Sequence, residues 1–123
     1  MPKKKEILVV DDEPITVELL EDILSHAGFS VRKAYNGKEC LSAVKKKMPD
    51  LILLDIMMPD MSGWDVFTRL QQEYKDKVKV IFVSAIEVSQ ERLEALKNHG
   101  LKDYITKPFE PDDLLQRVQK ALE

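Results

Sequence analysis

Apolar residues along the chain fall into short unbroken runs that alternate with stretches of helical period. The runs are Ile7–Val10, Leu51–Leu54, Val80–Val83 and the shorter Tyr104–Ile105. With the mixed segment Ser30–Ala34 they predict strands at Glu6–Val10, Ser30–Ala34, Leu51–Leu54, Val78–Val83 and Asp103–Thr106. Several have no polar member to face solvent, so they read as strands buried on both faces of a parallel sheet. Between them, apolar positions recur every three or four residues. The first predicted helix has Asp12 or Glu13 near its cap and Pro14 in its first turn. Val17, Leu20, Ile23 and Leu24 line one face, and Gly28 stops it. Asn36-Gly37 predicts a turn, then a helix to about Lys47. A loop at Ile56–Ser62 precedes a third helix, in which Ser62 and Asp65 have capping-box spacing. The fourth runs from about Ser89 to near Gly100, and the fifth starts at Pro111 with Leu114, Leu115, Val118 and Leu122 inward. Such alternation predicts a doubly wound α/β fold.

The polar residues at the ends of these runs matter more than the runs themselves. Ile7–Val10 leads into Asp11-Asp12, Leu51–Leu54 into Asp55, Val80–Val83 into Ser84, and Tyr104–Thr106 into Lys107-Pro108. In a parallel sheet all strand C-termini share one edge, where open α/β sheets bind ligands. Three carboxylates, a hydroxyl and an ammonium would meet there. Three carboxylates repel one another, and an all-oxygen set suits a hard divalent cation such as Mg²⁺. Asp11 and Asp12 are adjacent, so one can bind the ion directly and the other through water. Asp55 can attack phosphorus to give an aspartyl phosphate. Lys107 and Ser84 would hold the remaining phosphoryl oxygens. Positioning and charge neutralisation are nearly all that phosphoryl transfer needs.

Composition narrows the classes. At 123 residues the chain predicts one domain, residues 1–123, and 44% apolar content is enough for a core. A net charge of −3 without a basic stripe argues against a nucleic-acid face. No apolar stretch reaches the roughly 20 residues of a membrane span. Lys3-Lys4-Lys5 precede too few apolar residues for a signal peptide and read as a solvated lead-in; Lys45–Lys47 read as a favourable helix C-terminus. The single cysteine, Cys40, excludes an intrachain disulfide, fits a reducing cytoplasm and reads as a core thiol.

Asp11-Asp12, Asp55 followed by MMPDMSG, Ser84-Ala85 and YITKP at 104–108, in that order and spacing, resemble the receiver domain of two-component response regulators across the whole chain. The resemblance implies a (βα)5 fold with five parallel strands in the order 2-1-3-4-5 and helices on both faces. It implies Asp55 as phosphoacceptor from a phosphohistidine on a sensor histidine kinase or histidine phosphotransfer protein. Asp11, Asp12, Asp55 and the backbone carbonyl of Met57 would hold Mg²⁺, with Asp12 the direct ligand of the acidic pair. Ser84 and Tyr104 would be switch residues, Lys107 the phosphate-binding lysine, and the bond before Pro108 cis. The implied output is a change in the face formed by helix 4, strand 5 and helix 5, with Tyr104 turning inward, read by an unknown downstream protein or output domain. The implied domain is no enzyme in its own right, although it assists its own phosphorylation and dephosphorylation.

The alternative is a phosphorylation-independent adaptor of the same fold. An aspartyl-phosphate hydrolase of the haloacid-dehalogenase type would need Asp-x-Asp after strand 1, which Asp11-Asp12-Glu13-Pro14 lacks. A flavin carrier would need a Ser/Thr/Gly-rich loop there. Asp103, Asp113 and Arg117 fall where receivers of winged-helix transcription factors carry interface charges, but Ala95 replaces a basic residue, so a monomer is expected over a stable dimer. Asp60 reads as a turn former, Trp64 as a half-exposed packing residue, and His26 and His99 as solvated.

Overall fold

The computed structural model describes residues 4–123. Of the basic lead-in, Lys3 lies outside the described residues, whereas Lys4 and Lys5 are exposed. The strands are β1 (Glu6–Val10), β2 (Ser30–Ala34), β3 (Leu51–Leu54), β4 (Val80–Ser84) and β5 (Asp103–Thr106). The helices are α1 (Pro14–His26), α2 (Gly37–Lys46), α3 (Gly63–Tyr74), α4 (Gln90–Asn98) and α5 (Pro111–Leu122). All strand pairings are parallel, in the order β2-β1-β3-β4-β5.

The period of two along each strand sends alternate side chains to opposite faces. Leu8, Val10, Ile52, Leu54, Val80 and Phe82 face Cys40 and Val44 of α2 and Val66, Phe67 and Leu70 of α3. Ile7, Val9, Leu51, Leu53, Ile81 and Val83 face Val17, Leu20 and Leu24 of α1 and Leu114 and Val118 of α5. Each fully buried Leu or Ile contributes roughly 1.5–3 kcal/mol. Helix α4 is the exception. It has no fully buried residue, and only Leu93 and Leu96 pack on the first of these cores. Cys40 lies inside that core, where burial pushes its thiol up to about 12. It is therefore a packing residue and not a nucleophile. No helix among the described residues is long and apolar enough to cross a membrane.

Several ends differ from the sequence expectation. Strand β4 begins at Val80, not Val78, because a 3-10 turn over Lys75–Lys77 precedes it and Val78 closes that turn. Val78 is nonetheless buried, which is why it reads as strand. Ser84 is the last residue of β4 and not a loop residue after it. Asn36-Gly37 is no free turn: Asn36 is the N-cap of α2, its Oδ1 accepting from Glu39 N at 2.8 Å. At the other end of α2, Lys45 and Lys46 lie in the last turn, but the side chain that bonds the final carbonyls is Arg32, donating to Ala43 O at 2.6 Å and Lys47 O at 2.8 Å.

Candidate functional site

The parallel ladder carries the chemistry to one edge. Asp55 N donates to Val10 O at 3.0 Å, so the ends of β1 and β3 run level. Asp11 and Asp55 are buried, at 2% and 5% exposure, while Asp12 is exposed. One carboxylate oxygen from each of the three lies within 4.8 Å of the others. Lys107, one residue beyond β5, brings its Nζ to 2.7 Å from Asp11 Oδ2 and 3.9 Å from Asp55 Oδ2. Its backbone N–H donates to Ser84 O at 2.8 Å, which extends the β4–β5 pairing past the strand end. The Lys107–Pro108 peptide bond is cis.

Asp55 is divided between two environments. Its Oδ1 accepts from Ile56 N at 2.8 Å, and its Oδ2 faces the Lys107 ammonium. Burial, reinforced by the Asp11 charge, pushes the Asp55 carboxyl above its ordinary value, against the opposing pull of Lys107. Three carboxylates against one ammonium leave the pocket with excess negative charge and only oxygen donors facing inward. That set fits a hard divalent cation.

A second layer surrounds this pocket. Ser84 Oγ accepts from Ile86 N at 3.3 Å, and the Tyr104 hydroxyl donates to Ile86 O. Ile86 is thus tied through its backbone to both predicted switch residues, a role that sequence does not signal. The Tyr104 ring is already buried here, packed beside Phe82 at 6.1 Å between centroids. The expected inward turn is therefore not needed to reach this conformation. Burial raises the Tyr104 hydroxyl above its ordinary value, with the Asp55 charge adding to it and a Ser84 hydrogen bond opposing. Trp64 is half-buried as expected, edge-on to Phe82 at 4.9 Å, with the Arg92 guanidinium 4.7 Å above its ring.

Of the two residues expected near the cap of α1, it is Glu13 and not Asp12 that holds the N-cap position. Its side chain makes no cap bond there, and Asp11 Oδ1 accepts from Glu13 N, at 3.0 Å. Helix α3 is capped as expected, with Ser62 Oγ accepting from Asp65 N at 3.2 Å. Gly63 is required where α3 starts, because a Cβ there would collide with the Asp55 carbonyl. Met57 holds its side chain out, 66% exposed. Two features lie beyond what the sequence suggests. Ile15 and Leu19, one turn apart at the site end of α1, are 81% and 50% exposed. Asp60 bonds no mere turn: its carboxylate accepts from Gly37 N and Lys38 N, both at 3.0 Å, at the start of α2. These bonds, the Gly37 one foremost, hold its carboxyl below the ordinary range.

A doubly wound parallel domain with an acidic, lysine-topped pocket at its strand ends defines a class built for reversible phosphoryl transfer. Similarity to known proteins makes the family specific. Residues 7–119 match the response regulator receiver domain, and the chain belongs to that family. It is 34% identical over 116 residues to the probable transcriptional regulatory protein TcrX of Mycobacterium tuberculosis, covering 94% of this chain and 49% of that protein. The chain thus spans about half the length of the first curated relatives it matches. A CheY-like receiver domain from Methanospirillum hungatei superimposes with a TM-score of 0.87 at 31% identity, covering 98% of this chain and 94% of that one. The response regulator TrrA of Thermotoga maritima, solved in complex with Mg(2+)-BeF, gives 0.82 at 36% identity, with 95% and 98% covered. Phosphorylation-dependent signalling in two-component systems is the standard function of this family, and the chain is a signalling domain and not a classical enzyme.

Proposed function

We propose that Asp55 is the phosphoacceptor of this domain and that the domain takes its phosphoryl group from a phosphohistidine on a sensor histidine kinase or histidine phosphotransfer protein. The observation that carries this reading is the buried Asp55 carboxylate with one oxygen held by Ile56 N–H and the other turned toward Lys107. The held oxygen fixes the carboxylate plane, so Oδ2 is the attacking atom. It forms the new bond to phosphorus as the bond to the donor's imidazole nitrogen breaks, and that nitrogen keeps the electron pair. Lys107, paired with Asp11, is near enough to swing onto a phosphoryl oxygen. Ser84 Oγ accepts from Ile86 N–H and keeps its own proton to donate to another. Tyr104 holds the Ile86 carbonyl and so fixes the loop that Ser84 leads into.

Asp11, Asp12 and Asp55, with the backbone carbonyl of Met57, would hold Mg²⁺. When bound, that ion neutralises charge on the carboxylates and on the phosphoryl oxygens. Exposed Ile15 and Leu19 flank the acidic loop and offer an apolar surface against which a phosphodonor helix could rest. The whole chain is read as one receiver domain whose altered α4–β5–α5 face signals to a downstream protein or output domain, assisting its own phosphorylation and dephosphorylation.

The test is incubation with Mg²⁺ and acetyl phosphate followed by intact-protein mass spectrometry. The native chain gains one phosphoryl group and Asp55→Asn gains none. Uptake by the variant at the native rate would overturn the assignment.

A further inference from the structure

The β3–α3 loop is anchored at two points. At its base, Gly63 N donates to Ile56 O at 2.7 Å, which pins both ends of the loop beside Asp55. At its tip, the Asp60 carboxylate clasps two backbone N–H groups of α2, Gly37 and Lys38, one on each oxygen. These bonds span 23 and 22 residues of sequence, so they join two separate units of the fold. Met61 packs beside Asp60 into the space a side chain at Gly37 would fill, and it also packs on the core below. Met57, whose carbonyl is the proposed fourth metal ligand, lies between the two anchors.

We propose that Asp60 is a positioning residue for metal binding: by tying the loop tip to the start of α2, it presets the backbone that presents the Met57 carbonyl to the ion. This rests on the reading of the Asp11–Asp12–Asp55 pocket as a Mg²⁺ site. The two N–H groups of α2 have no intrahelical partner, being in its first turn, and a carboxylate is well placed at that positive helix end. The bonds therefore hold in the absence of the ion, and the ordering of residues 57–61 precedes binding. Without Asp60 the loop keeps its base and the packing of Met58 and Met61 but loses its hydrogen bonds to α2, and more of the ordering of its backbone becomes a cost of taking up the metal. Groups that orient a ligand without touching the metal typically change affinity by about 10–100-fold when removed.

The experiment is Mg²⁺ titration by calorimetry of the native protein, Asp60→Asn and Asp60→Ala, with thermal unfolding of each. Asp60 is exposed, so neither variant opens the core. The expected result is Mg²⁺ affinity about tenfold weaker in Asp60→Ala. Asp60→Asn, which keeps one acceptor oxygen, lies between. Phosphoryl uptake at saturating Mg²⁺ stays at the native rate in both. A folded Asp60→Ala that binds Mg²⁺ as tightly as the native protein overturns the proposal, even if its melting temperature falls. A native protein that takes up no Mg²⁺ sinks the reading of the pocket itself, and this proposal with it.

Discussion

Asp55 is held in a position that opposes its own charge. Its folded-state carboxyl is raised, by burial first and the Asp11 charge second. A raised carboxyl favours the folded state while protonated, so its contribution is full below the unfolded value of about 4 and is lost as pH rises through the folded value. An amide does not titrate. Asp55→Asn should therefore gain stability over the native protein as pH rises from about 4 toward neutrality, with little gain in acid. Urea unfolding midpoints across that range test this, and a difference independent of pH would contradict it. Lifetime is a second matter at this scale. Met57 and Ile86, two residues beyond Asp55 and Ser84, are apolar and give an attacking water nothing to bond. Met57 is exposed, while Ile86 is half-buried and packed on the core. The double variant Met57→Asn, Ile86→Glu should lose phosphate about tenfold faster, a change of only about 1.4 kcal/mol. Equal decay of the two proteins would show that these side chains do not set the lifetime.

Among the elements, legibility followed the range of the interaction. Strands β1, β3 and β4 could be read because unbroken apolar runs have no other good home, and the mixed β2 and the short β5 from their place between helical stretches. The site could be read because parallel strands collect their ends on one edge. Asp60 could not, because its partners at Gly37 and Lys38 are far away in sequence while its neighbours Pro59 and Met61 look like any turn. The start of β4 slipped because Val78 is buried by a 3-10 turn and not by strand pairing. The buried ring of Tyr104 depends on Phe82 and Ile86, which no local pattern reports. Gly63 gives an element-scale prediction. Helix α3 starts against the Asp55 carbonyl, so Gly63→Ala should shift that start and cost about 1–3 kcal/mol in overpacking. Chemical denaturation measures the loss; unchanged stability would mean the contact is soft. The acidic loop after β1 gives another. Mg²⁺ at millimolar levels should raise the melting temperature of the native protein and not of Asp12→Ala. A native melting temperature indifferent to Mg²⁺ would count against the pocket.

The whole molecule is two cores on one sheet, with α2, α3 and α4 on one side and α1 and α5 on the other. Helix α4 is the least anchored layer, and it lies directly after the Ser84–Ile86 segment that the pocket reaches. With Asp55 as the proposed phosphoacceptor, a signal would have a short route to α4, and the Arg92–Trp64 contact would report its movement as a change in Trp64 fluorescence. On the neighbouring face, Arg117 makes two 2.9 Å bonds to Asp103 and one of 3.0 Å to Asp113. Arg117, Asp103 and Asp113, the charges expected at such an interface, are thus paired within the chain, and Ala95 adds none. Light scattering should find a monomer with and without a beryllofluoride mimic of the phosphoryl group; a tight dimer with the mimic would contradict this. Phosphorylation of Asp55 itself, on which everything at the other scales depends, can be located chemically. Reducing the phosphorylated protein with borohydride converts an aspartyl phosphate to homoserine, and peptide mass spectrometry finds its position. Homoserine is expected at position 55 alone, whereas conversion at position 11 or 12, or none, would contradict the assignment.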